Sequence, residues 1–267
     1  AAAKVEADQG FVKKVVCEMG GKNAVIVDTS ADLDEAVKHM RHAAFAFQGQ
    51  KCSACSRMIV VDPEGPTGEH SKAFARRFTN AMRSLVVGDP MHSGTDVGPV
   101  IDEEANAKIM GFIERGKQRG LDCVQLEIPE GIEANTGRSY VPPTVFTGVS
   151  EDDELATDEI FGPVAAILHA ASFEDALRIA NSSRYKLTGG VFTRMPAHIE
   201  QAKREFRVGN LYINRSNTGA LVARHPIGGF GMSGDGSKAG GSGVLLQYVA
   251  PRASAETTMR RGFAPEL

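Results

Sequence analysis

Two residue types that do chemistry together stand 34 residues apart in this chain. One is Glu18, in Cys17-Glu18-Met19-Gly20-Gly21-Lys22-Asn23; the other is Cys52, in Gly49-Gln50-Lys51-Cys52-Ser53-Ala54-Cys55-Ser56-Arg57. A free thiol has a pKa of about 8.5, so only a few per cent is thiolate at neutral pH unless the site favours the anion. A carboxylate at the end of an apolar run, before a glycine pair, can face a cleft. If Cys52 shares that cleft, the pair is a nucleophile and a general base. Spacing does not bring them together by itself: a solvent-facing Glu beside a turn and two buried cysteines at a turn remain open alternatives.

Cys52-Ser53-Ala54-Cys55 is also a C-x-x-C pair. A structural zinc site needs four ligands, commonly two such pairs or one pair with spaced histidines. Here Cys17 and Cys123 are isolated, and His42 and His70 lack ligand spacing, so no metal is expected. A thioredoxin-like motif has a strand before it and a helix after it. The pattern here is reversed, with an amphipathic helix before the thiol and the strand-like run Met58-Ile59-Val60-Val61 after it. Cys17, in Val15-Val16-Cys17, reads as a small buried hydrophobe, and Cys123 has no neighbour that would activate it.

The elements that must position these groups alternate along the chain. Runs at 15–17 and 24–27 read as short buried strands separated by Gly20-Gly21. Asp32 can cap a helix carrying Leu33, Ala36, Val37, Met40, Ala43, Ala44 and Phe47 on one face. Further helices are expected at 71–85, 102–117, 173–181 and 196–206, and strands at 164–168, 190–193 and 209–213. Strands joined by helices imply an α/β fold with a largely parallel sheet. Glycines concentrate at 228–243, where the chain must turn tightly or approach a ligand closely. Gly229-Phe230-Gly231-Met232-Ser233-Gly234 matches G-x-G-x-x-G, but it lacks a preceding strand, a following helix and an acid about 20 residues on, so it is not read as a dinucleotide loop.

At 267 residues the chain can bury a large core as one or two domains. Apolar content of 42% and charged content of 24% are ordinary for a soluble globular protein. A net charge of −3 forces no basic face, so nucleic acid is not an expected partner. No run approaches the roughly 18 apolar residues of a membrane span, and no signal peptide is visible. The chain begins Ala1-Ala2-Ala3-Lys4 without Met, so a natural N-terminus upstream is expected. Four cysteines do not make a disulfide scaffold, and a reducing, cytoplasmic compartment is expected (the mitochondrial matrix in a eukaryote).

Taken together, the motifs resemble the C-terminal half of the aldehyde dehydrogenase superfamily. The resemblance rests on Glu18-Met19-Gly20-Gly21-Lys22, Gln48-Gly49-Gln50-Lys51-Cys52 and Glu159-Ile160-Phe161-Gly162-Pro163, in that order. It is narrowest toward the branch that oxidises glutamate semialdehyde in proline breakdown. That narrower match uses Gly49 to Arg57, Asn214-Arg215 with Thr218 to Val222, Met232-Ser233-Gly234 with Lys238 to Gly241, and the tail Arg260-Arg261-Gly262-Phe263-Ala264-Pro265.

The resemblance implies a fold and a set of roles. The fold is an α/β catalytic domain with a largely parallel sheet and flanking helices, the cofactor domain being mostly absent. Residues 1–30 would be the last strand region of an NAD-binding domain, 31–245 the catalytic domain and 246–267 an oligomerisation tail. Cys52 would be the nucleophile, its backbone N–H an oxyanion donor, and Glu18 the activator of hydrolytic water. Glu159 would bind the nicotinamide ribose, with Phe161 beside the ring. Ser53, Gly219 and Ala220 would hold the substrate's α-carboxylate, while Lys22 and Arg57 would be structural. The implied cofactor is NAD, the partner a small aldehyde, and the assembly a homo-oligomer. The chain alone is expected to bind no NAD and to be inactive. His225-Pro226-Ile227-Gly228-Gly229 departs from the Gln-Pro-Phe-Gly-Gly usual in this branch and puts fine substrate preference in question.

Overall fold

The computed structural model describes residue 10 and residues 12–257. The stretch Arg260 to Pro265, part of the expected oligomerisation tail, lies outside them. The strands are β1 (Cys17–Glu18), β2 (Asn23–Val27), β3 (Cys55–Val61), β4 (Cys123–Gln125), β5 (Thr144–Thr147), β6 (Val164–Ala170), β7 (Tyr185–Lys186), β8 (Thr188–Phe192), β9 (Asn210–Ile213), β10 (Phe230–Gly231) and β11 (Gly234–Asp235). The α-helices are α1 (Leu33–Phe45), α2 (Glu69–Arg83), α3 (Glu103–Gln118), α4 (Ile132–Thr136), α5 (Glu154–Thr157), α6 (Phe173–Asn181) and α7 (Pro196–Glu205).

Seven strands form one sheet in the order β4-β5-β6-β3-β2-β8-β9, parallel except for the antiparallel edge strand β4. Both faces are covered, which explains why the central strands read as unbroken apolar runs. Alternate residues of each strand serve opposite layers. Ala24, Ile26, Ile59, Val61, Ala166 and Leu168 join the core that includes residues of α3, α6 and α7. Val25, Val27, Met58, Val60, Ala165 and Ile167 join the core that includes residues of α1 and α2. The helix starts follow their caps: the Asp32 carboxylate accepts from the N–H groups of Asp34 and Glu35, and Asp102 accepts from Ala105 N–H at 2.8 Å.

Two expectations are corrected. The helix before Cys52 ends at Phe45, and Phe47 is not on its buried face but 73% exposed, with φ of 55°. The chain must reverse here to deliver Cys52 to the sheet edge, and this left-handed turn throws Phe47 outward. Residues 15–17 do not form a buried strand. Only Cys17 and Glu18 pair, with the two-residue β11, so Cys17 is half-buried and Val16 exposed. A two-stranded ladder this short covers neither of its faces. The glycine-rich segment forms β10 and β11, pairing with β7 and β1.

Candidate active site

The chemistry-bearing residues gather where the chain enters the parallel strands. Glu18 to Lys22 lead into β2, Cys52 to Ala54 into β3, and Glu159 to Pro163 into β6. This is the N-terminal edge of the strands, the opposite of the usual crevice at their carboxyl ends.

Cys52 is held by its backbone. Phe47, Gln48 and Gly49 take successive positive φ values of 55°, 56° and 64°. Glycine is required at 49, since a Cβ there would strike the Gly162 carbonyl. The side-chain amide of Asn23, at the start of β2, donates to the Cys52 carbonyl at 2.7 Å and to the Ala54 carbonyl at 2.8 Å. The same side chain accepts from Thr188 N–H at 3.0 Å, tying the thiol turn to β8. Burial pushes the Cys52 thiol up, and the charges of Glu18 and Glu159 push it further. The backbone N–H groups of Ser53 and Cys52 pull the other way.

Glu18 stands at the end of β1. Its Oε1 lies 3.2 Å from where a Cβ on Gly228 would stand. Partial burial raises its carboxyl above the usual range, and the Lys238 ammonium opposes that rise. Glu18 is exposed beside Cys17, and its charge acts on the Cys52 thiol through space.

Beside them is a cleft lined by Gly21, Lys22, Lys51, Glu159, Phe161 and Gly162, among others. Glu159 Oε1 accepts from Gly21 N–H at 2.8 Å. Gly20 makes room for this carboxylate, because a Cβ at that position would overlap it. Phe161 has φ of 59° and is 40% exposed on the cleft wall. Lys22, also on the wall, is 2% exposed, and its Nζ makes no hydrogen bond among the described residues. Burial, with repulsion from Arg57, lowers its pKa to about 7. One carboxylate, an orphaned donor and an open aromatic face therefore share this wall.

Arg57 is not among the residues lining this cleft. It is buried, donating to the carbonyls of Lys22 (3.1 Å), Ile179 (3.1 Å) and Ala180 (3.0 Å). The last two lie in the final turn of α6, the negative end of a helix dipole. Ser53 is buried directly after the thiol. Gly219, with φ of 79°, and Ala220 follow Asn217, whose amide donates to the Ser53 carbonyl at 2.9 Å. The loop carrying Gly219 and Ala220 is therefore fastened beside Ser53.

Three participants escaped the sequence reading: Asn23, Asn217 and Lys238. Asn23 had one usable signal, a polar amide opening an otherwise apolar strand. Asn217 bonds a carbonyl 164 positions away and leaves no local pattern.

Comparisons with known proteins identify the family. A family model described as the aldehyde dehydrogenase family matches residues 2–253. The chain is 44% identical over 256 residues to 1-pyrroline-5-carboxylate dehydrogenase of Geobacillus thermodenitrificans, covering 96% of this chain and 47% of that protein. It is 45% identical over 257 residues to 1-pyrroline-5-carboxylate dehydrogenase 1 of Halalkalibacterium halodurans, with the same coverage. Among solved structures, proline utilization A from Bdellovibrio bacteriovorus, inactivated by N-propargylglycine, superposes with a TM-score of 0.90. It is 47% identical and covers 99% of this chain and 26% of its own. A 1-pyrroline-5-carboxylate dehydrogenase from Thermus with bound NAD gives a TM-score of 0.82 at 40% identity, covering 92% of this chain and 46% of its own. The chain spans about half the length of the curated relatives it matches. With a family match over nearly its whole length, this chain belongs to the aldehyde dehydrogenase family.

Proposed function

We propose that this chain carries the thiol-bearing part of an NAD-dependent dehydrogenase that oxidises L-glutamate γ-semialdehyde to glutamate. The observation that carries the reading is the convergence of Cys52, Glu18 and Glu159 from separate loops onto one strand edge, with both carboxylates acting on the thiol. Relatives named 1-pyrroline-5-carboxylate dehydrogenase support the substrate class.

In this reading the Cys52 thiolate adds to the aldehyde carbon, and the developing alkoxide takes the Cys52 backbone N–H. NAD, when bound, would supply the two-electron acceptor, and Glu159 would hold its ribose hydroxyls with Phe161 beside the ring. The carbon, once oxidised, is a thioester on Cys52. Glu18 takes a proton from water, whose oxygen attacks the thioester carbon and releases glutamate and the thiol. The Ser53 hydroxyl and the N–H groups of Gly219 and Ala220 hold the α-carboxylate. The 267-residue chain by itself is expected to oxidise no aldehyde, because its residues supply only one end of the cofactor site.

The test is NADH formation by a protein joining this chain to a cofactor-binding half. Glutamate semialdehyde should be preferred over butyraldehyde, which has no α-carboxylate. Ser53→Ala should lower kcat/KM for the first by about ten-fold, the value of one hydrogen bond to a charged group, and leave the second unchanged. Equal use of both aldehydes, or an equal loss on both, contradicts the substrate assignment.

A further inference from the structure

Across Gly228 from Glu18 stands Lys238. A Cβ on Gly228 would be 3.2 Å from Glu18 Oε1 and also 3.2 Å from Cα and Cγ of Lys238. A single glycine therefore separates the two side chains. The Lys238 ammonium is fixed elsewhere: it donates to Asn210 Oδ1 at 3.1 Å and to the Gly209 carbonyl, both at the entry to β9. Asn210 in turn donates to the Pro226 carbonyl at 2.9 Å and accepts from Gly228 N–H at 3.3 Å. Ile227 N–H donates to the Ala239 carbonyl at 2.9 Å, closing the loop between them.

We propose that Lys238 is the positioning residue of Glu18, a cation anchored by β9 that acts on the carboxylate across Gly228 without binding it. This rests on Glu18 being the base that activates water. The two side chains form no direct ion pair among the described residues. That separation suits a base. A carboxylate captured by an ammonium could not turn to water, whereas a held cation within a Debye length still favours its ionised form. Two other titratable groups bear on Glu18 among the described residues: the Cys52 thiol, in the turn after α1, whose pKa the Glu18 charge raises, and Asp235 of β11, which stands opposite Cys17.

The probe is p-nitrophenyl acetate, which needs no cofactor. The Cys52 thiolate adds to the ester carbonyl and p-nitrophenolate leaves, giving an acetyl thioester that water hydrolyses to acetate and thiol. Loss of the acetyl mass is followed by intact-protein mass spectrometry across pH. Loss of a nearby cation raises a carboxyl pKa. Lys238→Gln should therefore move the rise in hydrolysis rate to higher pH by about one unit, with the alkaline plateau within about two-fold of wild type, and Lys238→Arg should restore the midpoint. A Lys238→Gln midpoint equal to wild type, or a uniform loss at all pH, overturns the inference. Glu18→Gln separates the two readings. If it decays as wild type, or if no thioester forms on Cys52, the base reading fails and this inference with it. If it decays slowly at every pH while Lys238→Gln matches wild type, only the Lys238 inference fails.

Discussion

Two thiols three residues apart differ in the properties that govern reactivity. Cys55 is 1% exposed, its Sγ pairs with the Arg57 carbonyl at 3.8 Å, and burial pushes its thiol up to about 12. Cys52 is half-buried, and the backbone N–H groups of Ser53 and Cys52 oppose the rise of its pKa. Burial and the Glu18 charge raise Cys52 above the ordinary thiol range, so little thiolate exists at neutral pH in the resting site. The thiolate is the reacting form, so alkylation of Cys52 by iodoacetamide should speed up as pH rises. Glu18→Gln removes a negative charge. The alkylation midpoint should then fall to lower pH and the rate near neutrality rise several-fold, read by peptide mapping of the alkylated protein. An unmoved midpoint would mean that the two groups do not share a site.

At the scale of elements, the site is built from loops that enter strands, each set by a glycine or an amide rather than by a helix. Gly20 illustrates the dependence. With an alanine there, the new Cβ would displace the Glu159 carboxylate from Gly21 N–H. If Glu159 holds ribose hydroxyls, Gly20→Ala in a protein bearing the cofactor half should weaken NADH binding, measured by fluorescence titration, at least ten-fold. Unchanged affinity would remove Glu159 from the cofactor site. The long elements were legible because their apolar period spans several turns: α6 matches its expected bounds, and α1 and α3 start within a residue of theirs. Strands β4 and β5 were missed because each is only three or four residues, mixed with polar side chains. The ladders β1–β11 and β7–β10 are two residues long, too short to carry any period. Cys52 and Glu18 could be singled out by residue type. Their supports could not, since Asn23 and Asn217 act on backbone carbonyls remote in sequence.

At the scale of the molecule, a parallel sheet buried on both faces acts as a rigid plate whose N-terminal edge carries the chemistry. Arg57 binds that plate to the end of α6, and the Asn23 amide links β2, β3 and β8. The loops therefore rest on the most buried part of the structure, as preorganised electrostatics require. The central claim is that Cys52 carries the substrate as a covalent thioester. It is tested most directly by NADH formation from glutamate semialdehyde in a protein joining this chain to a cofactor-binding half, wild type against Cys52→Ala. The account predicts loss of at least about a thousand-fold in kcat, with NADH binding intact, because the substitution removes the sulfur that forms the thioester. Activity of Cys52→Ala within about ten-fold of wild type would contradict it.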